Sequence, residues 1–283
     1  MDSIEGLSQA VAGVSGSLQD LLLAVSLCSL RLLAAFALLP PMGQKFLTGG
    51  LRNGLTTMLA IYLAFGVPLE AVHRLDGLAL AGHAAKEAGI GLVLGFAASK
   101  VFWIAESVGA LMDTQAGFNN VQMSNPLSGQ QSTPVSDLLL HVVVVVFFSM
   151  GGMLVFLGAV FESFHVWPLL SPLPRVDRLP DLFIVGETDS LMTGIVKFAA
   201  PVLLVLMLID IGFGLVTRSS SKLEVSTLSQ PVKGAVTVLM LALLLGTLVS
   251  QVRGMLLPTG LLEHVQSAVP ATGAASSPLR VSR

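Results

Sequence analysis

Charge is scarce in this chain: Asp, Glu, Lys and Arg supply 11% of its 283 residues, whereas hydrophobic residues supply 53%. A mean hydropathy of +0.83 excludes an ordinary soluble domain and places the chain in the membrane class. The formal net charge is −2 and no long basic run exists, so neither nucleic acid nor an anionic lipid surface is indicated as a partner. Cys28 is the only cysteine, which excludes an intrachain disulfide; inside an apolar segment it reads as a small buried residue. Lys and Arg are missing from the amino-terminal MDSIEGLSQAVAG, which is the wrong charge pattern for a cleaved signal peptide. The first apolar segment is therefore expected to be retained.

Catalytic patterns are also missing. The five histidines, His73, His83, His141, His165 and His264, form no i, i+4 pair and have no cysteine nearby in sequence, so no metal site is expected. The tetrad GVSG at 13–16 precedes every apolar stretch and has no histidine placed with it. The segment DIGFG at 210–214 has no glycine immediately before its aspartate and no second aspartate in a suitable setting. No glycine loop precedes a Lys-Ser or Lys-Thr pair. The expectation is a non-enzyme without a cofactor.

What is present is a series of apolar stretches, approximately 18–40, 51–72, 88–112, 136–163, 190–216 and 231–257. Each approaches the roughly 20 residues a helix needs to cross about 30 Å of hydrocarbon. The expected fold is all-α and polytopic, with about six long apolar helices arranged as bent hairpins. Pro40-Pro41 ends the first stretch, and Pro68 kinks or ends the second. Segment 1–17 is polar, 18–165 forms a four-helix part, 166–189 is a linker rich in proline and charge, 190–257 is a helical hairpin, and 258–283 is a frayed tail. Orientation from loop charges does not follow. One side collects Lys45, Arg52, Arg218, Lys222 and Lys233, and the other Arg74, Lys86, Arg175, Arg178, Arg280 and Arg283.

Arg31, Lys100, Glu106 and Asp210 lie within apolar stretches, where an unpartnered charge costs at least ~2.5–3.5 kcal/mol. Each therefore needs a protein partner or water. Phe102, Glu106, Gly109 and Asp113 succeed one another at spacings of four, three and four, which puts them on one helix face. Glu106 and Asp113, next to an amide-rich loop, are expected to face water. Gly91, Gly95 and Ser99 form a small-residue ridge for close approach of another helix. Segment 113–135 contains DTQAGFNNVQMSNPLSGQQST, rich in uncharged amides between two of the most apolar stretches.

Five elements over about 80 residues carry a resemblance. They are Lys86-Glu87, then Asp113, Gln115 and Gly117, then Asn125-Pro126 with Gly129, then Gly151-Gly152, then Ser163-Phe164 with Pro168. In this order and spacing they resemble the SctT/FliR family, the T (R-type) component of the type III secretion export apparatus. The carboxyl part agrees more loosely: APVLLVLMLIDIGFGLVTR resembles the family's fifth helix, and Pro231 and Lys233 match the opening of its last. Where the family continues R-x-x-P-Q-x-N-V, this chain has Arg218, Ser221, Lys222, Glu224 and Val225, so no role passes to the missing Pro, Gln and Asn.

The resemblance implies a channel-forming subunit of the export gate in the bacterial inner membrane, at the base of the secretion apparatus, conducting unfolded secreted proteins. It implies assembly with the small P/R-type and Q/S-type subunits and with the U/B-type switch subunit, in an injectisome sooner than a flagellum. By the same likeness the loop is a plug, with Gln115, Gly117, Phe118, Asn119, Asn120, Val121, Gln122 and Met123 as the gate and Asp113, Pro126 and Gly129 setting its geometry. Arg31, Lys100, Glu106, Asp210, Arg218 and Lys233 are the expected buried polar or assembly residues. A polytopic small-solute transporter, with Lys100, Glu106 and Asp210 lining a midplane site, is the alternative.

Overall fold

The computed structural model describes residues 2–73, 75–118, 123–124, 131–171, 185–219 and 225–256. Helix α1 runs from Asp2 to Leu38, α2 from Gly49 to Ala64, α3 from Leu69 to His73 and α4 from Gly77 to Ala116. Two-residue strands follow, β1 (Met123–Ser124) and β2 (Gln131–Ser132), then α5 (Pro134–Ser149), α6 (Gly152–Val166), α7 (Val185–Ser219) and α8 (Val225–Leu256). Apart from this short strand pair, the regular structure among the described residues is helical, and the protein is a polytopic membrane chain of the all-α class.

Prolines and glycines set the breaks. After α1, Pro40-Pro41 enter a single 3-10 turn, Pro40–Met42, closed by the Gly43 amide donating to the Pro40 carbonyl at 2.9 Å. The stretch 51–72 divides at Pro68 into α2 and α3, so α2 has only 16 residues. The stretch 136–163 divides at Met150-Gly151, where α5 and α6 meet at a bend of 70°. Gly151 has φ +74, a left-handed conformation that only glycine adopts without strain. Six uniform spans are therefore not what forms. Among the described residues, four helices are long and apolar enough to cross a membrane, or five if the bent pair counts as one span. The segment 2–17, set apart in the sequence as polar, continues as α1.

α1 and α4 run parallel in close contact. A Cβ built on Gly91 would lie 2.2 Å from the Arg31 carbonyl oxygen, and one on Gly95 would lie 2.6 Å from that of Ala35. The Ser99 hydroxyl donates to the Leu38 carbonyl at 2.8 Å. The ridge of Gly91, Gly95 and Ser99 thus meets α1, its own chain. α5 descends antiparallel to α4: Phe147 meets Phe102 edge-on at 5.1 Å between centroids, and α6 carries the path on, with Phe156 at 6.1 Å from Phe36. α7 and α8 pack on this core through Val202, Leu206, Leu244 and Leu248. Their outward faces stay bare, with Leu204, Leu208, Leu215, Leu239 and Leu243 all exposed.

Candidate site at the base of the central loop

Charge in an apolar chain must be neutralised by protein where water is absent. The deepest such cluster starts at Arg31, whose side chain is wholly buried. Its Nε donates to Glu87 Oε2 at 2.6 Å, Nη1 to Ser163 Oγ at 3.0 Å and Nη2 to the Trp167 carbonyl at 2.9 Å. The guanidinium also stands 3.8 Å from the centroid of the Phe164 ring. Lys86 Nζ donates to the carbonyls of Pro168, Leu169 and Ser171 at 2.9, 2.7 and 3.1 Å and lies 3.1 Å from Glu87 Oε1. Two sequence elements far apart, Lys86-Glu87 and Ser163-Phe164 with Pro168, therefore form one buried joint between α1, α4 and the exit of α6. The sequence marks the motif residues, but their convergence on Arg31 is visible only in the fold.

A second group holds the loop between α4 and α5. Asp113 is fully buried, and its carboxylate accepts from the amides of Val135 and Ser136 at 3.0 Å each. These are free amides of the first turn of α5, so Asp113 caps that helix from outside and adds a charge favoured by its dipole. Gly109 lets the two helices touch there, since a Cβ on it would lie 2.4 Å from Ser136 Cα. Ser136 Oγ donates to the Glu106 carbonyl at 2.9 Å. Asp113→Ala should cost about 1–2 kcal/mol through loss of this cap. Thermal unfolding of the purified assembly should show it as a lower midpoint, with Asp113→Asn intermediate.

The opposite side of the loop base is held by the α7–α8 hairpin. Gln115 Nε2 donates to Asp210 Oδ2 at 2.9 Å, Lys233 pairs with the other oxygen of that carboxylate, and Lys233 Nζ donates to the Gln115 carbonyl at 3.3 Å. Gly117 ends α4 at φ +82, its amide turned back to the carbonyls of Asp113 and Thr114. Phe118 then lies against Gly234, where an added Cβ would be 3.2 Å from the ring. Beyond it the strands pair antiparallel, Met123 opposite Ser132 and Ser124 opposite Gln131. Asn119, Asn120, Val121, Gln122, Pro126 and Gly129 lie outside the described residues.

The structure corrects four expectations for the polar residues. Glu106 and Asp113 do not share a water-facing surface: Glu106 is exposed, but Asp113 is sealed against α5, because its backbone-bonded carboxylate lies where the two helices touch. Nor is Glu106 a buried residue. Arg218, near the end of α7, is exposed as well. Lys100 is buried and paired with Glu187 at 2.7 Å, a partner the sequence does not single out. Lys100 with Glu187 and Asp210 with Lys233 thus belong to separate groups, and Lys100, Glu106 and Asp210 line no common site as a transporter would require. The transporter reading is set aside.

Buried ion pairs joining apolar helices, and one long polar loop clamped at its base, define a polytopic membrane protein built for packing between helices. Residues 22–258 match the family described as bacterial export proteins, family 1, and the chain belongs to it, as the T component of type III export (SctT/FliR). The Yop proteins translocation protein T of Yersinia pestis is 32% identical over 231 residues, covering 81% of this chain and 88% of that protein. The secretion system apparatus protein SsaT of Salmonella typhimurium is 27% identical over 223 residues, covering 78% and 86%. The flagellar biosynthetic protein FliR of Bacillus subtilis is 25% identical over 242 residues, covering 84% and 92%. The chain is thus a subunit of a multi-subunit export apparatus and an inner membrane protein.

Proposed function

We propose that this chain is a non-enzymatic, channel-forming subunit of the export gate, helping to conduct unfolded substrate proteins across the inner membrane at the base of the apparatus. The loop after α4 is its plug. The observation that carries this reading is the clamp on that loop: Asp113 fixes it to α5, and Asp210 with Lys233 fixes it to the α7–α8 hairpin. These anchors lie at the base of the loop, so the frame that bears the plug is separate from the plug segment itself. Uncharged amides suit a water-filled conduit, since they would not trap substrates of either charge sign. An injectisome is favoured over a flagellum, supported by 32% identity to the Yersinia protein against 25% to the Bacillus flagellar protein.

The partners proposed are the small P/R-type and Q/S-type subunits, with the U/B-type switch subunit attached. The bare apolar faces of α7 and α8 support them, since such faces are covered by lipid or by other helices. Expressed alone, the chain should aggregate or be degraded, and joint expression with the two small subunits should yield a stable complex on size-exclusion chromatography. A stable monomer, unaffected by those subunits, would contradict the assignment.

A further inference from the structure

Helix α4 carries five charged residues, and four are satisfied within the chain. Lys86 and Glu87 belong to the Arg31 cluster, Lys100 pairs with Glu187, and Asp113 caps α5. Glu106 is the exception: it is exposed and has no ion pair or side-chain hydrogen bond among the described residues. Lys197, an exposed base on the neighbouring α7, makes no ion pair with it.

The surroundings of Glu106 give the charge its meaning. α1 packs along α4 as far as Ser99, which bonds to Leu38, the last residue of α1; beyond that level α1 no longer lies on α4, and among the described residues this face is half-buried to exposed. Trp103, Glu106, Ala110 and Thr114 follow there at one-turn spacing, all partly or fully exposed, in line with Phe96, whose ring meets that of Trp103 at 5.3 Å. This is an apolar strip with one carboxylate in it. Left to lipid, an ionised Glu106 is unfavourable and gains nothing in return. A cation brought in by another helix neutralises it. The small Ala110 one turn along leaves room for a long side chain, and Trp103 one turn back offers a ring to a guanidinium.

We propose that the α4 face beyond the end of α1 seats a helix from another subunit of the apparatus, and that this helix carries a lysine or arginine that pairs with Glu106. The inference rests on the reading of the chain as an assembly subunit, and names the chemistry of one of its contacts.

The test uses the chain expressed with the rest of its apparatus. A photo-crosslinking residue at Trp103 or Ala110 identifies the neighbouring subunit. Glu106→Lys should then lower recovery of that subunit by about tenfold or more, as like charges meet in an apolar interface, while Glu106→Asp retains most of it. Changing the one basic residue of the partner helix to glutamate should restore assembly with Glu106→Lys. Three results would overturn the proposal: crosslinking to lipid alone, normal assembly of Glu106→Lys, or normal assembly with altered ion leak, which would place Glu106 on the conduit. If the unaltered chain recovers no subunit at all, the assembly reading fails instead. Cellular levels of each variant separate misfolding from lost contact.

Discussion

Arg31→Met should prevent stable accumulation of the chain. The guanidinium makes three hydrogen bonds in a site without solvent, and methionine fills the volume but returns none of them. Glu87 would keep only Lys86 nearby, and Ser163 Oγ and the Trp167 carbonyl would each lose a donor. Removing one partner of a buried pair costs about 3–5 kcal/mol, a large share of the roughly 5–15 kcal/mol that holds a typical domain together. The damage would not stay local, because the cluster joins α1, α4 and the exit of α6. Glu87→Ala should be comparably harmful, since it strands Arg31.

The double variant Arg31→Met with Glu87→Leu is expected to recover much of the loss. Buried pairs replaced together by apolar residues are often neutral or better, and Lys86 retains three carbonyl acceptors. Steady-state chain level in the membrane, followed by thermal unfolding of the solubilised complex, measures both. Arg31→Met at full level and midpoint would show that the cluster is not what joins these helices.

The cluster also shows where sequence reading reaches its limit. Arg31 stands out because a lone arginine in an apolar stretch demands a partner, but nothing in spacing selects Glu87, 56 positions away. Lys86 misled more directly. Counted as a loop charge, it helped to balance the two sides of the membrane, yet it is buried in α4 with its ammonium spent on three carbonyls. A rule based on exposed loop charges loses its meaning when one of the charges counted is internal.

Helix boundaries were legible where proline decides them, at Pro40-Pro41 and Pro68, whereas the bend at Gly151 falls inside what the sequence offered as one stretch, 136–163. They were not legible where continuation costs little: α1 extends back through 2–17 because no proline interrupts it, and α4 begins at Gly77, before its apolar core. The ridge of Gly91, Gly95 and Ser99 announced close packing but could not say that α1 was the partner. Face periodicity grouped Glu106 with Asp113 correctly by angle and wrongly by environment. The helix rotates only slightly between them, yet α5 covers one and leaves the other open. For the loop, Gln115 and Gly117 were read as gate residues and Asp113 as setting the geometry, and the contacts of all three lie at the base of the loop.

That placement decides which residues a test of the gate must spare. Deleting Gln115 through Met123 would remove the bond to Asp210 and the turn at Gly117 along with the proposed obstruction, so a leak could reflect a broken frame. Replacing residues 119–130 with a short Gly-Ser link keeps Asp113, Gln115, Gly117 and Phe118 and their contacts with α5, α7 and α8. The decisive measurement is the ion conductance of the purified export-gate complex in planar bilayers, with this variant beside the unaltered chain and equal subunit content verified in both. A closed unaltered complex and a variant that conducts steadily are the predicted result. Equal, background conductance in the two would contradict the role of this loop as the plug.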